Sequence, residues 1–154
     1  MRIYYVFVML FFIYSCKKEK ENTLENYMIG NWETQYIKIE MPTVHNTDSI
    51  SVFEDDFSKP NSGKAQSKYN EDGTFSAWFR LANGKKVDET SGKWQAKGDS
   101  LLVDYKYGGK DVRAWYVITK TDMGFEGKVI HDWDNDGEKD DKLFMKSKRI
   151  ELAE

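Results

Sequence analysis

The densest run of reactive side chains lies near the C-terminus, where carboxylates alternate with other residues around a single glycine, Gly137. The residues that could bind one cation together are Asp132, Asp134, Asp136, Glu138 and Asp140. Carboxylate and carbonyl oxygens are the ligands that Ca²⁺ prefers, and it takes about six to eight of them. The same residues could instead form an acidic, solvent-exposed hairpin turn at Asp136-Gly137 that needs no ion. Both interpretations stay open from the residues alone.

The Asp-x-Asp-x-Asp-Gly order of this segment resembles the calcium loop of EF-hand proteins. The resemblance implies that Gly137 permits a sharp turn, that Glu138 offers its backbone carbonyl and that Asp140 binds directly or through water. The chain departs from the pattern at the twelfth loop position, where Leu143 stands in place of a bidentate glutamate. The flanking segments also read as strands rather than helices. A calcium site of this kind would have a dissociation constant on the order of 10⁻⁴–10⁻³ M.

Other catalytic constellations are missing from the sequence. The two histidines, His45 and His131, lack metal-ligand spacing with each other, and the single cysteine is Cys16 near the N-terminus. No serine stands in a nucleophile-elbow pattern, and no glycine-rich loop could cradle a phosphate. We therefore expect no enzymatic activity. The net charge of −3, with basic and acidic residues mixed throughout, argues against nucleic acid as a partner.

The N-terminus reads as a secretory signal peptide over residues 1–15. Met1-Arg2 is followed by an apolar run over 3–14, which is shorter than the roughly 20 residues that a membrane-spanning helix needs. A polar segment over 17–22 then reads as a tether.

The residues Ile13, Ser15 and Cys16 resemble a lipobox, the site where signal peptidase II cuts before a lipid-modified cysteine. This resemblance implies acylation of Cys16 (palmitate or a similar chain) and a membrane anchor in the cell envelope. The protein would then be an outer-membrane lipoprotein, either periplasmic or exposed at the cell surface. The alternative is an ordinary cleaved signal with an incidental cysteine. Lys17-Lys18-Glu19 is either a plain linker or a surface-export signal.

From residue 23 to 154 the sequence predicts one all-β domain. Thr23 is positioned to cap a short helix over 24–29, and turn-forming pairs then recur about every ten residues. Between them apolar and polar residues alternate, which is typical of antiparallel strands. The predicted strands span 31–41, 65–70, 74–81, 86–97, 100–107, 111–120, 124–132 and 142–150. Eight consecutive hairpin-linked strands favour closure into an up-and-down barrel, which removes exposed strand edges.

Gly30-Asn31-Trp32, placed after a short helix, resembles the Gly-x-Trp signature of lipocalins. The resemblance covers about residues 24–150 and fits the lipocalin-like domains of bacterial lipoproteins best. It implies that Trp32 plugs the closed end of the barrel, that Arg149 on the last strand stacks over its ring, and that the long 42–64 loop covers the open mouth.

Two kinds of function follow from this interpretation. In the first, the barrel binds a small apolar or amphipathic ligand, lined by Phe75, Phe79, Trp94, Tyr105 and Tyr116, although the same residues could equally fill the barrel as core. In the second, the domain is a structural or interaction module at the cell surface. It would then contact a protein or a glycan through exposed Trp78 or Trp115.

Overall fold

The computed structural model describes residues 23–42, 44, 47 and 49–151. The predicted signal peptide, Cys16, the predicted polar tether and His45 lie outside the described residues. Among the described residues no helix is long and apolar enough to cross a membrane.

The single described helix, α1 (Leu24–Met28), begins where the sequence predicts and ends one residue earlier. The side-chain oxygen of Thr23 accepts a hydrogen bond from the backbone N–H of Asn26 at 3.2 Å, which satisfies one of the free donors of the first turn. Leu24 and Met28, four residues apart, share one face and are buried. The helix therefore packs against the barrel through these two side chains.

The strands follow the predicted segments to within one residue at each end, with one strand more than predicted. Their bounds are β1 (Gly30–Met41), β2 (Ser51–Asp55), β3 (Lys64–Tyr69), β4 (Thr74–Arg80), β5 (Lys86–Lys97), β6 (Ser100–Tyr107), β7 (Lys110–Lys120), β8 (Gly124–His131) and β9 (Asp141–Ile150).

The sheet closes on itself as an antiparallel barrel. Each strand from β3 to β9 pairs with its neighbour along the chain, and β1 pairs with both β3 and β9. The β1–β9 ladder runs from Asn31 opposite Ile150 to Glu40 opposite Lys142, with one register shift between Thr34 and Tyr36. The predicted eight-stranded, up-and-down barrel with a short N-terminal helix is thus confirmed.

The additional strand, β2, corrects the prediction that residues 42–64 form one long loop. β1 has 12 residues but pairs with β3 only over 30–33, which leaves the second half of that edge without a partner. β2 pairs there instead, with Ile37 opposite Asp55 and Met41 opposite Ser51. The apolar residues from Ile50 to Phe53 therefore belong to a hairpin at the edge of the barrel rather than to an irregular loop.

One continuous hydrophobic core lies inside the barrel. Trp32 and Leu101 are each 1% exposed, and the aromatic rings near the centre lie about 5 Å apart. The buried core residues are Leu24, Met28, Trp32, Tyr69, Phe75, Trp94, Leu101, Val103, Val112, Ala114, Tyr116, Ile118, Phe125, Val129 and Leu143.

Candidate functional site

The acidic segment forms the connection between β8 and β9. β8 ends at His131 and β9 begins at Asp141, opposite it in the ladder. Tyr27 of α1 donates a hydrogen bond to Gly124 at the start of β8 and accepts one from Arg149 at the end of β9. The β8–β9 connection therefore lies at the opposite end of the barrel from α1, here termed the mouth. The strands that flank it make it a hairpin loop rather than an EF-hand.

Side-chain carboxylates organise the backbone of this loop. Asp141 Oδ2 accepts hydrogen bonds from the backbone N–H groups of Trp133 at 2.5 Å and Asp134 at 3.1 Å. Asp132 Oδ2 accepts one from the N–H of Gly137 at 3.2 Å, and Asp134 Oδ1 accepts one from the N–H of Asp136 at 3.1 Å. Asp132 and Asp134 thus each use one carboxylate oxygen for the loop and leave the other without a hydrogen-bond partner among the described residues.

Three carboxylates of the loop converge. Asp132, Asp134 and Asp141 each present an oxygen, and these oxygens all lie within 4.8 Å of one another. Asp132 Oδ1 and Asp134 Oδ2 are buried from solvent and have no hydrogen-bond partner among the described residues. A buried carboxylate oxygen without a partner is costly, and three negative groups at this distance repel one another. The arrangement therefore fits a hard divalent cation held between the three side chains.

Asp141 is the member of this group that the spacing argument does not predict. It is 1% exposed and lies on the same face of β9 as the core residue Leu143. Burial raises the pKa of Asp141 above its ordinary value, the amide donors of Trp133 and Asp134 lower it, and neighbouring carboxylates raise it again. Strand alternation back from Leu143 is the signal that could have identified Asp141 from the sequence.

The remaining predicted ligands take other positions. Asp136 Oδ1 accepts a hydrogen bond from the N–H of Glu138 at 2.8 Å, and Gly137 has a φ of +97°. Asp136, Glu138 and Asp140 are not part of the group of converging oxygens. Of the four side-chain carboxylates predicted as ligands, the structure therefore brings together Asp132 and Asp134, and it adds Asp141. The backbone carbonyl predicted for Glu138 stays a prediction.

At the closed end, Arg149 lies over the ring of Trp32, with 4.3 Å between the guanidinium carbon and the ring centroid. The guanidinium donates hydrogen bonds to the carbonyl oxygens of Ile29, at 2.7 Å, and Tyr27. The indole N–H of Trp32 donates to the carbonyl oxygen of Met28 at 2.7 Å. Arg149 thus ties the last strand to the chain that leads from α1 into β1.

Gly30 is required at this end of the barrel for two reasons. Its φ is +126°, which L side chains rarely adopt. A β-carbon at this position would also lie 2.5 Å from Nη1 of Arg149. The Gly-x-Trp pattern therefore has a local physical cause in this chain.

Four of the five candidate ligand-lining residues lie in one aromatic cluster around Tyr69 inside the barrel. The rings of Phe75 and Trp94 lie 5.0 Å and 5.4 Å from that of Tyr69, and Tyr105 lies 5.5 Å from Phe75. Burial raises the pKa of Tyr105 to about 12 and that of Tyr116 well above its ordinary value, and their hydroxyl groups share a hydrogen bond. The aromatic rings pack against one another, and the hydroxyl groups of Tyr105 and Tyr116 stay protonated at neutral pH.

Phe79, the fifth candidate, is half-buried and lies apart from this cluster, beside Gly63.

The expectation that Trp78 is exposed is wrong. Its side chain lies on the outer face of β4, as the alternation indicates, yet it is only 6% exposed. The indole N–H donates to Gln66 Oε1 at 2.9 Å, and Lys86 Nζ lies 3.9 Å from the ring centroid. Gln66 in turn donates to Glu33 at 2.9 Å. This outer-face network covers the ring, so Trp78 is a packing residue.

Trp115 is exposed as expected, at 45%. Two concavities also open on the surface of the barrel. One, of about 480 Å³, lies beside the turn at Asp72 and the β5–β7 strands. The other, of about 540 Å³, lies at the closed end, between the start of α1 and Lys120.

His131 lies at the mouth, with its ring 5.0 Å from that of Trp133. Burial lowers the pKa of His131, and the charge of Lys139 lowers it further, against the opposing effect of Asp132 and Asp141.

No protein-family model matches the chain, and no curated protein matches it either.

Proposed function

We propose that this chain is an envelope-anchored lipoprotein whose filled barrel presents a binding surface on its outside. The anchor is inferred from the signal peptide and the lipobox-like residues that end at Cys16. The observation that carries the proposal is the continuous core from Leu24 at one end to Leu143 near the other. An eight-stranded barrel is only wide enough for side chains or one small ligand, so side chains in this space exclude a ligand.

The competing proposal is a small apolar ligand inside a lipocalin-like barrel. Pockets for such ligands have volumes of about 300–1,000 Å³ and cover most of the ligand's surface. To open that volume, the Tyr69, Trp94 and Tyr116 side chains would have to leave a packed interior, at a cost of several kcal/mol. The packing therefore favours the outer surface.

Binding of benzene tests whether the barrel is filled. The full chain is purified in a polyoxyethylene detergent, and its melting temperature is measured with and without benzene. We expect no benzene effect in the native chain and a clear rise in the Leu101→Ala variant, because removal of this 1%-exposed side chain creates a dry apolar cavity. Equal stabilisation of both proteins would show that the native barrel is already hollow.

A second proposed activity is the binding of Ca²⁺ by Asp132, Asp134 and Asp141 at the barrel mouth. The two buried carboxylate oxygens without partners favour it. The bound ion would offset the repulsion between the three carboxylates and hold the β8–β9 connection in one conformation. At a concentration ten times its dissociation constant, such an ion stabilises the fold by about 1.4 kcal/mol.

Two adjacent substitutions separate this ligand set from the one that the spacing predicts. We expect Asp141→Asn to abolish the Ca²⁺-dependent rise in melting temperature, because asparagine keeps the hydrogen-bond acceptor but loses the charge. Asp140→Asn should retain a saturable rise. A calorimetric titration that gives no heat with the native chain at millimolar Ca²⁺ would remove the proposal. Loss in Asp140→Asn alone would favour the EF-hand-like ligand set.

A further inference from the structure

The outer face of β5, β6 and β7 places an aromatic ring beside a row of polar side chains. Gln95 pairs with Leu102, and Leu102 pairs with Trp115, so these three residues form one row across the strands. Leu102 is only 5% exposed, whereas nearly half of the Trp115 side chain is open to solvent. The indole of Trp115 therefore lies beside the buried side chain of Leu102, with nearly half of its surface open to solvent.

The next row on the same face is charged. Lys93 pairs with Asp104, and Asp104 pairs with Arg113, so two cations flank one carboxylate. Arg113 Nη1 lies 3.7 Å from Asp104 Oδ2, and both side chains are largely exposed. A pair at this distance and exposure contributes little to stability. Its donor and acceptor groups can therefore bind something else at little cost.

A concavity of about 480 Å³ lies over Lys93, Gln95, Leu102, Asp104 and Arg113 of these rows. Trp115 is not part of its lining but is the cross-strand neighbour of Leu102, at the margin of the concavity. The β3–β4 turn at Asp72 forms one wall, and the β5–β7 side chains form the floor. The side-chain amide of Gln95 and the ammonium of Lys93 make no hydrogen bond to any described residue. The groove thus offers unused donors and acceptors beside a flat ring.

The charges that line the groove balance, since Asp72 and Asp104 oppose Lys93 and Arg113. A strongly acidic or basic ligand would leave one pair of these groups repelled. A neutral ligand with many hydroxyl groups can use all of them, because each hydroxyl both donates and accepts. The C–H face of a sugar ring also matches an exposed aromatic face.

We propose that this groove binds a neutral glycan, with one sugar ring stacked on Trp115 and its hydroxyl groups bonded to Gln95, Asp104 and Arg113. The proposal rests on the outward-facing function proposed above. Adjacent rows on one face are two residues apart along the strands, or about 7 Å, so the long side chain of Arg113 lies within reach of a sugar ring that covers the indole. A volume of about 480 Å³ accommodates a short stretch of sugar units rather than a protein domain.

The test uses the full chain in a polyoxyethylene detergent, which has no sugar headgroup. The probes are hexasaccharides of glucose, mannose, galactose, xylose and N-acetylglucosamine at millimolar concentration. Two readouts are calorimetric heat and protection of tryptophan fluorescence from acrylamide. Trp115 is the most open of the five tryptophans to this quencher, because Trp133 is partly buried and Trp32, Trp78 and Trp94 are buried. We expect at least one probe to give saturable heat and to protect the fluorescence.

Variants assign the binding to the groove. Trp115→Ala should weaken it at least about tenfold, or about 1.4 kcal/mol, and Gln95→Ala should weaken it without a change in melting temperature. Trp115→Tyr should retain part of it. Phe53→Ala is the matched control, because Phe53 is 49% exposed on β2 and should leave binding unchanged.

Binding by none of the probes, or equal losses in Trp115→Ala and Phe53→Ala, would overturn the glycan proposal. Capture of a protein that Val117→Ser abolishes would also overturn it, in favour of a protein interface on this face. None of these results would change the result of the benzene experiment, which tests the barrel interior. The two experiments therefore distinguish failure of the glycan site from failure of the proposal that the barrel is filled.

Discussion

Replacement of Arg149 by alanine removes two hydrogen bonds and the stacking over Trp32 at the closed end of the barrel. The guanidinium donates hydrogen bonds to the carbonyl oxygens of Tyr27 and Ile29 and lies over the ring of Trp32. Hydrogen bonds of charged groups contribute about 1.5–3 kcal/mol, and the exposure of Arg149 reduces each to about 1 kcal/mol. The cation–π contact at an exposed site adds about 0.5–1 kcal/mol. Arg149→Ala should therefore lower the free energy of unfolding by about 2.5–3 kcal/mol.

Thermal and urea denaturation, followed by near-ultraviolet circular dichroism of the tryptophans, measure this loss. The expected fall in melting temperature is roughly 8–15 °C for a domain of this size. Arg149→Lys should lie between the native chain and Arg149→Ala, because lysine keeps the charge but loses the planar fork of donors. The matched control is Arg113→Ala, whose exposed ion pair should change stability by less than about 0.5 kcal/mol. Similar losses in Arg149→Ala and Arg113→Ala would refute the assigned role.

Three further predictions concern the outer face and the close approach of strands. Trp78→Phe should lower the free energy of unfolding, measured by urea denaturation, by about 1–2 kcal/mol, because it leaves the buried side-chain oxygen Oε1 of Gln66 without its donor. An unchanged free energy would mean that the ring is exposed. The pKa of Glu33 is lowered, since the bonds and charges of its neighbours outweigh burial. The ionised Glu33 therefore contributes to the free energy of unfolding above its unfolded-state pKa, and this contribution is lost as pH falls through the lowered folded-state pKa. The loss of stability in Glu33→Gln, measured by urea denaturation, should thus disappear in acid, and a loss that does not change with pH would contradict this. Gly92→Ala should cost at least about 2 kcal/mol in thermal denaturation, because its β-carbon would lie 2.0 Å from the carbonyl oxygen of Asp104, and a stable variant would contradict the strand spacing.

The barrel strands were predictable because alternation and turn residues act locally. The Gly98-Asp99 turn between β5 and β6, for example, bounds two segments whose ends the sequence predicts without error. β2 was not predicted, because the apolar stretch from Ile50 to Phe53 is too short to distinguish from a loop. Its pairing depends on the half of β1 that has β9 on one edge and no β3 residue on the other. The 12-residue length of β1, twice that of β3, was the available signal.

The candidate sites were predictable only in part, because they depend on contacts between elements. Alternation places Trp78 on the outer face correctly, but the residues that cover it come from other strands, and alternation cannot predict burial there. The acidic loop is recognisable in the sequence from its run of carboxylates around Gly137. Its converging group was missed at Asp141, because the expected ligand spacing belongs to a loop between helices, whereas this one lies between strands.

Native mass spectrometry of the protein purified from its own envelope tests the central claim most directly. We predict a chain that begins at Cys16 and carries acyl groups, with no small apolar molecule bound at one-to-one stoichiometry. An unmodified Cys16 would contradict the anchor. A stoichiometric apolar ligand that survives desolvation would contradict the filled barrel.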